Sequence, residues 1–326
     1  MSASSDILVV RLGAMGDILH ALPAVATLKH SHPRSRVSWA VDPKWAPLLE
    51  GNPFVDEVLP LARKSLRDVA RAWKLLRSRP FDLAIDFQGL LQSALVASAA
   101  RPDRIVGFHH SQVRERAAAF FYSACVAARS AHVVDRNVEL AVAAGAANVI
   151  HAFPIPPGAP EGTLPEDGFV LASPFAGWAA KQWPLEHYAA LAQELDRMGL
   201  RLVLNGPPEA RETLAAGRAI THCSGLAGLI HATRRATAVV GVDSGPLHLA
   251  AALGKPGVAI FGPTDPARNG PYGGTFTVLR EEGAATTYKR RAEIESSMRA
   301  ISPRHVAQEL RARLESRSRG AAGAAQ

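Results

Sequence analysis

The chain has 326 residues, 48% of them hydrophobic and 20% charged, with a formal net charge of +8. This composition excludes a disordered or fibrous polypeptide, and the length predicts roughly two domains of about 150 residues, each able to bury a core. The charge favours an anionic partner, whether nucleic acid, phosphorylated sugar or an anionic membrane surface, and does not choose among them.

The first elements in chain order are a strand at 7–11, a helix at 18–30, and strands at 37–41 and 57–60. A helix at 65–77 places Leu66, Val69, Ala70, Trp73 and Leu76 on one apolar stripe, with Ser65 and Asp68 as a capping pair. A strand at 83–86 and a helix at 89–100 follow. Such alternation predicts a parallel sheet covered on both faces. Residues 153–168 then change character, with five prolines clustered around Gly158 and Gly162, and read as an interdomain linker. Alternation restarts with a strand at 169–173, a helix at 184–198 and a strand at 201–205. Strand, helix and strand follow at 238–242, 246–253 and 258–261. A last helix starts near Pro303, with proline in its first turn, and the tail from Ser316 is expected to be disordered. The predicted domains are 1–157 and 169–302, with a linker at 158–168, a C-terminal helix at 303–316 and a tail at 317–326.

The longest apolar stretches are interrupted, as residues 83–100 are by Asp86, Gln88 and Gln92, so no spanning helix is expected. The polar 1–6 start predicts no secretory signal. Cys125 and Cys223 match no metal spacing and read as reduced, mostly buried thiols of a cytoplasmic protein.

Four segments carry chemistry. The first is VVRLGAMGDILHALPAV, residues 9–25, where a buried strand breaks at Gly13 and Gly16 and a helix resumes at Asp17. In a doubly wound sheet ligands bind at the carboxyl ends of strands, and the two glycines let a ligand approach the backbone. Asp17 is either a helix cap or a general base at the crevice. The spacing is not that of a dinucleotide loop, and a carboxylate at its centre repels phosphate. The second segment, residues 239–273, ends a strand at Asp243 and starts a helix at Pro246. Ser244 supplies a hydroxyl, Gly245 close approach, and the helix start free N–H groups, which together suit a phosphate. His248 lies on the first turn, and Thr264 in the polar Gly262–Asp265 loop at the neighbouring strand end. Turn chemistry alone is the competing explanation.

The third segment, SPFAGWAAKQWP at 173–184, offers Ser173 and Lys181, which is either a phosphate partner or a solvated lysine; Trp178 and Trp183 read as packing. Glu209, in NGPPEARE, suits sugar hydroxyls or a ribose, or merely begins a surface helix. The fourth segment is basic. Arg63 and Lys64 precede a helix striped by Arg67, Arg71 and Lys74, and Arg114 and Arg116 follow. Arginine clusters suit phosphate or carboxylate, although a solvated face has the same composition. No aromatic–basic interleaving suggests nucleic acid.

Together RLGAMGDILHALPA, FDLAIDFQGLLQSAL, AAKQWPLEHY, GPPEARE, VDSGPLHLAAALGKP and FGPTDPARNGPYG resemble the ADP-heptose:lipopolysaccharide heptosyltransferases, glycosyltransferase family 9, in order over residues 7–306. The resemblance leans towards the type I enzymes and implies a GT-B fold: an α/β architecture of two Rossmann-like domains whose parallel sheets face a central cleft. It implies an acceptor domain followed by a nucleotide-sugar domain, with the last helix packing back on the first. Asp17 matches the catalytic base and Lys181 the lysine at the donor's phosphates. Ser173, Glu209, Asp243, Ser244, Gly245, Pro246, Leu247, His248 and Thr264 match the donor site. Gly13, Gly16, Arg63, Lys64, Arg67 and Arg114 match an acceptor site for the anionic Kdo-bearing inner core of lipid A. The implied reaction is an inverting, metal-independent displacement with no cofactor, performed at the inner face of the cytoplasmic membrane. The stretch after Gly-Pro-Tyr-Gly lacks the cysteines of many relatives, which leaves open another family 9 sugar donor or acceptor, or a binding protein without catalysis.

Overall fold

The structure is a computed structural model and describes residues 5–215, 219–287 and 289–323. The chain divides into two compact units, Met1–Pro156 and Pro157–Gln326.

The first unit runs β1 (Asp6–Val10), α1 (Met15–Ser31), β2 (Arg36–Val41), β3 (Glu57–Pro60), α2 (Leu66–Leu76), β4 (Leu83–Asp86), α3 (Leu91–Ala99), β5 (Arg104–Phe108), β6 (Ala124–Val126) and α4 (Val133–Ala143). Its six strands lie in the order β3-β2-β1-β4-β5-β6, all parallel. The β1 and β4 strands are buried along nearly their whole length, as strands covered on both faces must be.

The second unit runs β7 (Phe169–Ser173), α5 (Leu185–Asp196), β8 (Arg201–Gly206), α6 (Arg211–Ala215), β9 (Ile220–Cys223), α7 (Leu226–Arg235), β10 (Ala238–Val242), α8 (Gly245–Ala252), β11 (Gly257–Phe261), α9 (Pro266–Asn269), β12 (Phe276–Arg280), α10 (Ser296–Ala300) and α11 (Pro303–Gly323). The order β12-β11-β10-β7-β8-β9, again parallel, repeats the doubly wound pattern. Its core centres on Phe169, Trp183, Tyr188 and Phe261, all buried. Burying each such side chain stabilises the unit by about 1.5–3 kcal/mol.

Several expectations are corrected. The first helix begins at Met15, because the backbone of Ala14, not Asp17, forms its N-cap. On α2 the predicted apolar stripe does not face the core. Leu66 is 89% exposed, Val69 48% and Trp73 47%, while Leu76 alone is buried. The helix sits at the rim of the unit and packs mainly through Ala72 and Leu76.

Residues 157–168 are no free tether. Glu161 accepts hydrogen bonds from the Gly225 and Gly228 N–H groups at the start of α7, at 2.6 and 3.1 Å, and its carbonyl lies 2.6 Å from His222 Nε2. Gly158 turns at φ +73°, with Ala227 O 2.5 Å from where a Cβ would stand. Helix α11 packs on α5, β11 and β12 of its own unit, where Val306 and Leu310 are fully buried. It continues to Gly323, across most of the tail expected to be disordered, with Arg311 and Glu315 paired one turn apart at 2.9 Å; residues 324–326 lie outside the described residues. Cys223 is buried, but Cys125 is exposed, because β6 is a short edge strand.

Candidate functional site

In an open doubly wound sheet, the crevice for a ligand opens where strand order reverses. In the second unit that point lies between β7 and β10. Beyond β7 the chain forms a short turn at Ala179–Lys181, and beyond β10 it passes through Asp243 into the Ser244 N-cap of α8. The two meet: Lys181 Nζ donates to Asp243 Oδ2 at 2.8 Å. His248 Nε2 lies 3.4 Å from Asp243 Oδ1. All three side chains are at most 10% exposed. Burial by itself would raise the Asp243 carboxyl, but His248 and Lys181 outweigh it and hold the group well below its ordinary range.

Lys181 Nζ also lies 4.2 Å from the Trp178 ring, which Arg290 approaches at 5.7 Å. Trp178 thus belongs to the site, whereas Trp183 is core: it donates to Ile301 O at 3.0 Å and packs edge-on against Tyr188. Ser244 Oγ, Thr264 Oγ1 and Trp178 Nε1 are buried without a hydrogen-bond partner among the described residues. Buried polar groups are rarely left so, and these belong to loops at the carboxyl edges of three adjoining strands.

Ser173, at the end of β7, is buried and registers beside Gly241. Gly245 and Pro246 open α8, half-buried. Leu247 is 1% exposed and packs under Gly241, so its side chain is core and only its backbone N–H faces the helix start. Glu209 lies in the exposed turn after β8 and is not drawn into the Lys181 cluster. Asp265 caps α9 through Ala267 N at 2.9 Å. A buried ammonium, a helix start and hydroxyls seeking partners suit phosphate oxygens.

In the first unit the reversal lies between β1 and β4. Asp17 occupies the third position of α1, where Oδ2 accepts from the Ala14 N–H at 3.1 Å. Its other oxygen, Oδ1, lies 2.8 Å from Arg11 NH2. Capping and availability coexist, because the Asp17 side chain keeps 46% of its exposure. Arg11 is buried; its NH1 donates to Phe87 O at 2.5 Å, and its carbonyl accepts from Trp39 Nε1 at 3.1 Å. The sequence offered Arg11 only as the last residue of a strand, and nothing local marks it as a partner.

The β4 end is fixed in turn. Gln88 Oε1 accepts from Leu12 N at 2.8 Å. The buried Asp86 accepts from Tyr122 and Ser93, both at 2.7 Å. Burial raises the Asp86 carboxyl above its ordinary value against those hydrogen bonds. A Cβ on Gly13 would stand 3.1 Å from Trp45 Nε1, and Gly16 is buried in the first turn of α1. Of the basic group, Arg63 is held by Asp42 at 3.1 Å, while Lys64, Arg67 and Arg114 are exposed.

Two doubly wound units, each with a crevice at its strand-order reversal, have the α/β architecture of the GT-B fold. The model for glycosyltransferase family 9 (heptosyltransferase) matches residues 69–298. Lipopolysaccharide heptosyltransferase 1 of Pseudomonas aeruginosa PAO1 is 31% identical, over 82% of this chain and 81% of its own. Two solved structures titled Escherichia coli heptosyltransferase WaaC are similar. One, with ADP, has a TM-score of 0.76 at 26% identity and covers 94% of this chain and 99% of its own. The other, with ADP-2-deoxy-2-fluoro heptose, has a TM-score of 0.73 at 27% identity and the same coverage. The chain belongs to glycosyltransferase family 9, the heptosyltransferases.

Proposed function

We propose that this enzyme transfers L-glycero-D-manno-heptose from ADP-heptose to the Kdo-bearing inner core of lipopolysaccharide, as a type I heptosyltransferase. The Lys181–Asp243–His248 cluster at the start of α8 carries the reading. It gives a diphosphate a buried cation and helix N–H groups, and a similar structure is titled with ADP-2-deoxy-2-fluoro heptose. The relative from P. aeruginosa named lipopolysaccharide heptosyltransferase 1 supports the acceptor class.

The reaction is a single displacement with inversion. The acceptor hydroxyl oxygen bonds to the anomeric carbon of heptose as the bond from that carbon to the diphosphate oxygen breaks. The electron pair leaves with ADP, and the hydroxyl proton passes to Asp17. Arg11 and the Ala14 N–H hold Asp17 in one orientation while its exposed face remains open to the hydroxyl. Lys181 and the N–H groups of Gly245 and Leu247 stabilise the departing diphosphate as preorganised charges. Ser173, Ser244, His248 and Thr264 complete the donor site, and Glu209 contacts the nucleoside. Gly13, Gly16, Arg63, Lys64, Arg67 and Arg114 serve the acceptor. Transfer takes place at the cytoplasmic face of the membrane that holds the acceptor, without a metal ion.

Among the described residues no helix is long and apolar enough to cross a membrane. The test is ADP release by the purified chain given ADP-heptose and Kdo-bearing lipid A, with Asp17→Asn run beside it. Release by the parent and near-silence from a variant that still binds ADP supports the assignment. Equal rates overturn the role of Asp17, and no release from folded parent protein overturns the donor or acceptor.

A further inference from the structure

Among the described residues ten large hydrophobic side chains are exposed, and seven of them belong to α2, α3 and the turn at Arg116–Phe121. These elements are neighbours, since α2 packs on α3 and α3 on the turn. Leu66, Val69 and Trp73 recur at helical spacing along α2 and form one edge. Leu95 on α3, 50% exposed, and Phe120 in the turn, 91% exposed, are apolar side chains of the neighbouring elements. Isolated exposed apolar side chains are ordinary, but a concentration of them on adjoining elements marks an interaction surface.

The charge beside that edge selects the partner. Arg67, Arg71 and Lys74 line the adjoining flank of α2 and are exposed. Arg77 lies 3.9 Å from the Trp73 ring, so guanidinium and indole share one spot. The single acid of the helix, Asp68, is 23% exposed and engaged by Ser65 in the capping box; Arg71 NH1 lies 3.9 Å from it but is itself 81% exposed, so the flank keeps a net positive charge. A core-facing side through Ala72 and Leu76, a cationic flank and a free apolar edge make three faces. The first anchors the helix to the unit. The other two match the phosphates and the acyl boundary of a bilayer.

We propose that α2 and the Arg116–Phe121 turn dock the enzyme on an anionic phospholipid bilayer, with Leu66, Trp73 and Phe120 sunk into the headgroup–acyl boundary. For its purpose this rests on the transferase reading, because it names the surface that brings the enzyme to a membrane-held acceptor. The observations behind it are separate from the donor cluster and from Asp17. A lipid surface accounts for both the apolar edge and the cationic flank, whereas recognition of a glycan accounts only for the flank.

The test is co-sedimentation of the full chain with vesicles of phosphatidylglycerol and phosphatidylcholine that contain no glycolipid. The expected result is binding that rises with phosphatidylglycerol content and falls with salt, as charge attraction must. A combined Leu66→Ser, Trp73→Ser and Phe120→Ser variant partitions about tenfold less, since each residue contributes buried apolar area. Arg71→Gln and Lys74→Gln each cost about fivefold. Both sets of variants keep the parent's melting temperature and ADP binding, because every changed side chain is exposed. Trp73 emission moves to the blue on vesicles, read as the parent spectrum minus that of Trp73→Phe. A parent chain that stays in the supernatant at low salt overturns the proposal. So does a triple variant that sediments like the parent, which would give the edge to a protein partner. Binding only to vesicles bearing Kdo–lipid A also overturns it while leaving the transferase reading intact. Sedimentation without ADP release sinks the transferase reading alone.

Discussion

Arg11 NH2 stands 2.8 Å from Asp17 Oδ1, and the same buried guanidinium donates to Phe87 O across the strand-order reversal. The carboxylate is therefore oriented by a side chain one residue past β1 that is itself pinned to the backbone just past β4. We expect Arg11→Met to lower kcat by about 100-fold, the cost of a misplaced reacting group, with little change in KM for ADP-heptose. Arg11→Lys restores part of the loss, because a point charge replaces one arm of the fork and not both. Steady-state kinetics of the two variants check this, and an equal loss in both would mean that Arg11 serves folding alone.

Asp17→Asn keeps an oxygen for the Ala14 N–H and removes the basic carboxylate. The expected loss in kcat is about 10²–10⁴-fold, with melting temperature and ADP affinity close to those of the parent. Calorimetric ADP titration beside the rate measurement separates loss of the base from loss of the helix cap.

Lys181→Met removes the cation from a buried pair and leaves Asp243 with His248 only. Breaking such a pair costs about 3 kcal/mol or more, and the loss of a preorganised charge costs about 10²-fold in kcat. Urea unfolding and ADP release are both expected to change. A variant with normal turnover would remove Lys181 from the donor site.

Stability against pH tests Asp243 directly. Its folded value lies below the ordinary 3.8, so the pair's contribution is fully present above that value. It is lost as the pH falls through the folded value. Asp243→Asn is therefore less stable than the parent at neutral pH, and the gap narrows below about pH 4. Urea midpoints measured across that range give the sign; a gap that widens in acid would contradict it.

Glu161 caps α7 through two backbone N–H groups, and Gly225 at the N-cap supplies no side chain. Glu161→Ala is expected to destabilise the second unit by about 1–2 kcal/mol, read as a lower unfolding midpoint with unchanged kcat at low temperature.

EDTA treatment is expected to leave turnover unchanged, with Lys181 and the α8 N–H groups balancing the diphosphate charge. Inhibition reversed by added divalent cation would refute that expectation.

Much of this protein is legible in its sequence. Strand–helix alternation, the Ser65–Asp68 capping pair and the glycine-bounded loops are local signals, written over a few neighbouring residues, and they yield the doubly wound class. Asp17 and Asp243 stand out as acids beyond strand ends, whereas Lys181 and His248 draw their weight from the family resemblance, because a lysine in a turn and a histidine on a helix are each ordinary taken alone. The tertiary structure decided what depends on distant partners. Arg11 is joined to the loop after β4 by a contact 76 residues away, and Lys181 meets Asp243 across 62; no periodicity encodes either pairing. The apolar stripe of α2 is plain in the sequence, but whether it faces core or solvent depends on which sheet and helices lie beside it. Local propensity and patterning are short-range properties of the chain, whereas burial and electrostatic pairing belong to the packed whole.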